Sequence, residues 1–280
     1  RLDLVHIPYF NIPICYPGKM VVTIHDLTIL HFDTGKATTL PYIFYKLRRL
    51  GYRIVMEVGL RRVSKIIAVS QATKQELVDH FHLNPEKIIV TYESVDKRLK
   101  TQDLRLKVHE RLIKHPYLLY VGNAYPHKNL ETLVRAMIPI KNVKLVLVGK
   151  EDYFYARLEK FVEQQRVKDS VVFFGQANDE QLVNLYAHAK ALVFPSLMEG
   201  FGLPGLEALA LGCPVIASDI PVFHEILGDN ATYFHPNDVD DLAGKLLSVR
   251  RTNKRIMLNK FSWSRLASET LAIYESCARV

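Results

Sequence analysis

Short, continuously apolar runs alternate with stretches of helical period along almost the whole chain. The runs lie at 3–7, 20–25, 65–69 and 87–92, then at 117–121, 143–149, 171–174, 191–195, 214–217 and 231–234. They are rich in β-branched residues and apolar at both alternating positions. That pattern predicts strands covered on both faces, as in a parallel sheet. Amphipathic stretches at 39–62, 71–81, 129–138, 153–165, 179–189, 204–211, 222–227, 238–249 and 263–278 predict the helices. Strand-helix alternation of this kind predicts an α/β chain with helices on both sheet faces.

Local punctuation agrees. Ser70 stands where an N-cap belongs, directly after a strand. Gly212 follows the helix at 204–211, and Pro214 opens the next strand. Residues 96–115 are charged and carry no strand pattern, so a domain joint is expected there. This predicts a partial first domain over 1–107, with too few strands for a stable sheet of its own. A complete Rossmann-like set follows over 108–262, and a closing helix over 263–280.

Composition is globular, with 49% hydrophobic and 24% charged residues. No run reaches the roughly 18 apolar residues of a membrane-spanning helix, so none is expected. Cys15, Cys213 and Cys277 are odd in number, far apart and outside any C-x-x-C, which argues against a disulfide framework or a zinc site. A reducing cytoplasm is the expected compartment. The net charge of +8 is concentrated: residues 36–65 hold eight cations against Glu57 alone. Such a patch suits an anionic membrane surface or nucleic acid.

Open parallel sheets bind ligands beyond the carboxyl ends of their strands, so the residues following each strand are the candidates. After 117–121 come Gly122, Asn123 and Lys128, the last at a helix start where a cation and free amides suit a phosphate; a glycine turn with a solvated lysine is the plain alternative. After 191–195 come Glu199, Gly200, Phe201, Gly202, Leu203 and, within the helix, Glu207. The glycines let amides approach an anion, and each carboxylate can accept from paired sugar hydroxyls. A diphosphate with a sugar at either end fits that layout; a capping and a solvated Glu would also account for it. After 20–25 comes His25, either a satisfied structural histidine or a member of the same site. The spacing of His25, Asp26 and His31 matches no standard metal site, and no metal is expected.

These residues together resemble a known family. Glu199-Gly200-Phe201-Gly202-Leu203-Pro204 with Glu207 is similar to the E-x7-E segment of retaining glycosyltransferases of the GT-B fold, family 4, and the surrounding run 194–238 is similar to that family's second domain. YVGNAYPHKNLETLVRAM and VVTIHDL carry the likeness into both halves of the chain. The resemblance implies two Rossmann-like domains whose parallel sheets face a cleft, the first incomplete here because the chain begins after the family's opening strand and Gly-rich loop. An N-terminal piece upstream of Arg1 is therefore expected, and 263–280 is similar to the helix that crosses back to the first domain.

The resemblance also implies roles. Lys128 would hold the donor diphosphate. The amides of Gly200 to Leu203 would hold phosphates and sugar, with Gly122 and Asn123 beside them. Glu199 would contact the transferred sugar, and Glu207 the ribose hydroxyls. Gln176, after 171–174, would lie near the base, and His25 would reach across the cleft to the donor sugar. No cofactor or metal is implied beyond the nucleotide-sugar donor, with GDP-mannose favoured and UDP-sugars open. The implied activity is hexosyl transfer with retention to a glycan or lipid-linked acceptor, in polysaccharide biosynthesis. The implied location is cytoplasmic, peripheral at the inner face of the membrane through 36–65, where Tyr42, Phe44, Tyr45 and Tyr52 interleave with cations. One departure stands out: no Arg precedes Lys128 nearby, where many relatives have one. A non-catalytic or truncated nucleotide-sugar-binding relative is the alternative, and the UDP-sugar 2-epimerase group is the rival enzyme class, against which the Glu199 to Glu207 segment argues. No nucleic-acid module is recognisable.

Overall fold

The computed structural model describes residues 2–32, 42–96, 111–250 and 260–278. Side chains of Tyr42, Ile43 and Tyr45 fall outside that description, as do residues 36–41 of the basic segment and 97–110 of the expected joint. The chain divides into two compact units. One comprises 1–94, 199–201 and 260–280; the other comprises 95–198 and 202–259.

The first unit holds a parallel sheet in the order β1 (Val5–Ile7), β2 (Met20–Ile24), β3 (Lys65–Ala68), β4 (Ile88–Val90). The connections run through α1 (Thr28–His31), α2 (Tyr42–Arg62) and α3 (Gln71–Phe81). Met56 and Leu60 of α2 are fully buried, as are Val22, Ile24 and Ile66 of the sheet. The last helix, α10 (Trp263–Ala278), belongs to this unit: Ile273 and Cys277 pack on Val21 and Ile67. Polar contacts reinforce it. Tyr274 Oη lies 2.5 Å from His6 Nδ1 on β1, and Lys19 Nζ donates to the Cys277 carbonyl at 2.9 Å.

In the second unit six parallel strands run in the order β10-β9-β8-β5-β6-β7. They are β5 (Tyr117–Val121), β6 (Lys144–Val148), β7 (Val171–Gly175), β8 (Ala191–Phe194), β9 (Val215–Ser218) and β10 (Ala231–Phe234). Counted from β5, this is the doubly wound order 3-2-1-4-5-6, which reverses between β5 and β8. Between the strands lie α4 (Leu130–Ala136), α5 (Tyr153–Gln164), α6 (Asp179–His188), α7 (Leu203–Ala210), α8 (Pro221–Leu227) and α9 (Val239–Ser248). Alternate residues sort onto the two faces. Leu118, Tyr120, Leu145, Leu147 and Val193 join one core with Leu133, Leu158 and Leu246 from α4, α5 and α9. On the opposite parity, Tyr117 donates its hydroxyl to Leu185 of α6 at 2.7 Å, and the Phe194 ring lies 4.6 Å from Phe223 of α8. Both faces are thus covered, which is why these strands read as unbroken apolar runs.

The first unit departs from expectation: its four strands form a parallel sheet of their own, where too few strands were expected, because the chain from β1 to β4 pairs in sequence order, and the second unit starts at 95 rather than 108. Glu199–Phe201, expected in the second domain, group with the first. The reason is local bonding: the Gly200 carbonyl accepts from Ser70 Oγ at 2.7 Å and from Thr73 Oγ1 at 3.3 Å, while the buried Phe201 ring sits 5.7 Å from that of Phe261 and 6.3 Å from that of Tyr92. Ser70 also caps α3, accepting from the Thr73 amide at 3.0 Å. Ser70→Ala removes the cap and the bond to Gly200 together, and should lower unfolding free energy by about 2 kcal/mol in urea titrations.

Candidate functional site

The order reversal between β5 and β8 leaves a crevice beyond their carboxyl ends, because the two following connections leave in opposite directions. Gly122 directly follows β5 with φ +149; its amide bonds the Val148 carbonyl and its own carbonyl accepts from Tyr155 Oη at 2.8 Å. A Cβ on Gly149, at the end of β6, would lie 2.1 Å from that same Gly122 carbonyl, so two main chains touch here. Asn123 shapes the next turn: its carbonyl accepts from Tyr120 Oη at 2.6 Å, and its Oδ1 accepts from the Tyr125 amide at 3.3 Å. Lys128 closes a short 3-10 turn, Pro126–Lys128, after which Asn129 adopts a left-handed conformation at φ +55. The Asn129 side chain accepts from Thr132 Oγ1 and donates to the Pro236 carbonyl, both at 2.8 Å.

The loop after β8 is tied to this one. Leu197 donates its amide to the His127 carbonyl at 2.7 Å, so the Lys128 turn and the chain entering the Glu199 segment are held together. Gly202 then caps α7 at φ +97, in contact with Phe223, and Leu203 and Pro204 open the helix. On α7, Glu207 receives a hydrogen bond from Tyr186 Oη at 2.9 Å. Burial pushes the Glu207 carboxyl up from its ordinary range, and the Tyr186 bond partly offsets that; burial also holds the Tyr186 phenol protonated. Gln176 lies exposed just after β7, where a register slip between Leu147 and Val148 and the φ of +78 at Gly175 turn the chain away.

The first unit holds the remaining candidates. His25 follows the last residue of β2, with Nδ1 3.1 Å from Glu93 Oε1 and Nε2 3.2 Å from the Pro8 carbonyl. Glu93 is the leading cause that raises the His25 pKa above its ordinary value, against the opposing effect of burial. Gly200 is seated on His25: a Cβ there would lie 1.6 Å from the His25 carbonyl oxygen. Glu199, its half-buried neighbour, therefore emerges close to His25 along the chain. The structure thus brings together His25, Glu199, Gly200 and Phe201 in one unit, and Gly122, Asn123, Lys128, Gly202, Leu203 and Glu207 in the other. Gln176 stands at the carboxyl end of the same second sheet.

Three residues escaped the sequence reading, Glu93, Tyr186 and Thr73, and Ser70 was read only as a cap and not as a partner of Gly200. Glu93 had a signal, since it follows a strand in the same sheet as His25. Tyr186 had none, because a tyrosine on an apolar helix face reads as core. Among the described residues no group of three or more His, Cys, Asp or Glu is placed to hold a metal ion.

Comparison with known proteins places this architecture among GT-B glycosyltransferases. Sucrose-phosphate synthase from Thermosynechococcus elongatus superposes with a TM-score of 0.76 at 24% identity, over 98% of this chain and 73% of that one. Residues 86–261 match the family model "Glycosyl transferases group 1", and residues 1–99 match "Glycosyltransferase Family 4". The chain belongs to the group 1 glycosyl transferases. It is 33% identical to the O-antigen chain mannosyltransferase RfbU of Salmonella typhimurium over 222 residues, 79% of this chain and 58% of that protein. It is 27% identical to O-antigen chain mannosyltransferase B of Escherichia coli over 97% of this chain and 74% of that protein. The chain therefore spans less than two thirds of RfbU's length.

Tyr186→Phe tests the site's electrostatics. A buried carboxyl with a raised native pKa binds more protons folded than unfolded, so stability falls as pH rises from the unfolded value to the native one. Losing the phenol donor raises the native value further. The variant should lose about 1–3 kcal/mol where Glu207 is ionised, and its decline should extend to higher pH than in wild type, as read by urea titrations from acid to neutral pH.

Proposed function

We propose that the protein is a retaining hexosyltransferase that moves mannose from GDP-mannose to a glycan or lipid-linked acceptor. One observation carries this reading: at the strand-order reversal of the second unit, the Lys128 turn is bonded through the His127 carbonyl to Leu197, in the loop that leads on to the Gly202 helix start, and Glu207 lies on that helix. A cation and free amides suit a diphosphate, and a carboxylate held by Tyr186 suits a ribose diol. Mannose is favoured because the relatives named above are mannosyltransferases. Glu199 contacts the transferred sugar, Gln176 lies by the base, and Gly122 and Asn123 line the phosphate path. Lys128 and main-chain amides offset the leaving diphosphate, so added EDTA should leave the rate unchanged.

The acceptor side of this reading rests on α2. Phe44, Leu47, Leu50, Ile54 and Val58 are each 40–60% exposed and fall on one helical stripe. Lys46, Arg48, Arg49, Arg53, Arg61 and Arg62 accompany them on the same helix, with Glu57 the sole acid. An exposed apolar stripe on a cationic helix suits an anionic bilayer surface, with the protein peripheral on its cytoplasmic side. Among the described residues no helix is long and apolar enough to cross a membrane. Beside the stripe, Phe10, Asn11, Ile29, Arg48, Arg49, Tyr52 and Val55 line a cavity of about 400 Å³.

Two sets of measurements test these statements. Calorimetry with GDP, UDP and ADP and their sugars should give selective binding of GDP-mannose. Lys128→Ala and Glu199→Ala should each lower kcat/KM about a hundredfold with the fold intact. Glu207→Ala should weaken donor binding about tenfold. Wild-type rates in both of the first two variants would overturn the site. Separately, the chain should sediment with phosphatidylglycerol vesicles, less so as salt rises, and the double variant Leu47→Glu/Ile54→Glu should stay in solution.

A further inference from the structure

His25 presents a proton-counting problem. Its Nδ1 lies 3.1 Å from a carboxylate oxygen and its Nε2 3.2 Å from a carbonyl oxygen. Both partners are acceptors only. A neutral imidazole has one N–H and one lone pair, so it satisfies one of these contacts and sets a lone pair against oxygen in the other. Only the imidazolium donates to both. The surroundings agree with a cation. Glu93 is the more buried partner, its side chain 15% exposed against 41% for His25. Asp26, the next residue, adds negative charge while its Oδ1 accepts from the Thr28 amide at 2.8 Å. Tyr9 lies with its ring centroid 6.4 Å away, and Glu199 is adjacent to the Gly200 seated on the His25 carbonyl. Among the described residues no cation is one of the groups acting on the ring.

The two contacts are unequal. The Glu93 bond is charge-assisted and half-sheltered; the Pro8 bond is longer and exposed. A ligand oxygen arriving at the end of β2 competes for the Nε2–H, whereas the Glu93 bond stays. We propose that Glu93 is a positioning residue that holds His25 as a double donor, with Nδ1–H on the carboxylate and Nε2–H offered to a phosphate or hydroxyl oxygen of the bound substrate. His25 then acts as a fixed cationic donor and takes no proton from the acceptor. A histidine meant to serve as a base would need Nε2 free of its proton, which this geometry opposes. The sign of the pH dependence follows. A cation stabilised by its partner is present below its raised pKa and is lost as pH rises through it, so activity that depends on it falls on the alkaline side.

The functional part rests on the hexosyl-transfer reading; the protonation part does not, and the experiment separates them. The His25 ring signal, identified by its absence in His25→Ala, is titrated by NMR in wild type, Glu93→Gln and Glu93→Asp. Expected is a wild-type transition above that of a free histidine, a shift to lower pH in Glu93→Gln, and partial return in Glu93→Asp, which also guards against misfolding of the amide variant. Transfer from GDP-mannose is then followed at pH 6 and pH 8. Glu93→Gln should lose about tenfold more at the higher pH than at the lower, through kcat, and nothing further when added to His25→Ala. An unmoved His25 titration, an equal loss at both pH values, or a full loss in the His25→Ala background would each overturn the assignment. If wild type turns over no sugar donor, the reaction class fails while the titration still decides whether Glu93 holds the His25 proton.

Discussion

At two places main chain runs directly against main chain, and the rest of the candidate site depends on it. A methyl at Gly149 would stand 2.1 Å from the Gly122 carbonyl, and one at Gly200 would stand 1.6 Å from the His25 carbonyl. Neither obstacle is a flexible side-chain end, so neither can swing aside. The first contact closes the ends of β5 and β6 into one rim and leaves the Lys128 turn to emerge from it. The second fixes the Glu199 segment on the strand end that carries His25. Glycine here serves close approach, which a permissive φ alone would not require.

Around these contacts the polar groups are arranged to hold charge. Glu207 is a half-buried carboxyl with a phenol donor, His25 an exposed-edge imidazole with a carboxylate partner. Burial alone would neutralise both, raising the acid and lowering the base. The added partner opposes burial in each case. A strand end or helix start supplies the location, and one further side chain from another element supplies the charge state. That division of labour lets the sheets remain wholly apolar inside while their carboxyl ends carry the chemistry.

The α2 helix shows the opposite arrangement. Its Met56 and Leu60 are in the core, yet Phe44, Leu47, Leu50 and Ile54 lie at the surface among arginines. An amphipathic helix of a soluble domain turns apolar residues inward and charges outward. Here both sides of the helix are apolar over part of its length, and the cations border the outer stripe. The sequence pattern registered the cations and aromatics; only the packing separated which apolar residues were already satisfied.

Much was readable from the chain itself. Strands buried on both faces have no polar positions to spare, so the ten runs stood out with ends accurate to a residue or two, as did the helices of the second unit, while the short α1 was not read and the expected start of α2 at 39 lies outside the described residues. The Ser70 cap and the glycines after 117–121 and 191–195 were visible because caps and close approaches demand particular residue types at particular offsets. What tertiary structure decided was which distant residues meet. Glu93 follows a strand end, as His25 does, but nothing in the sequence says that these two strand ends, sixty-eight positions apart, meet; Tyr186 reads as one more core aromatic until its hydroxyl reaches Glu207; and Glu199–Phe201 fall in the first unit because Ser70, Tyr92 and Phe261 bind them there. Periodicity encodes the face a residue presents, which is local. Partnership across strands depends on sheet order and register, which no local pattern carries.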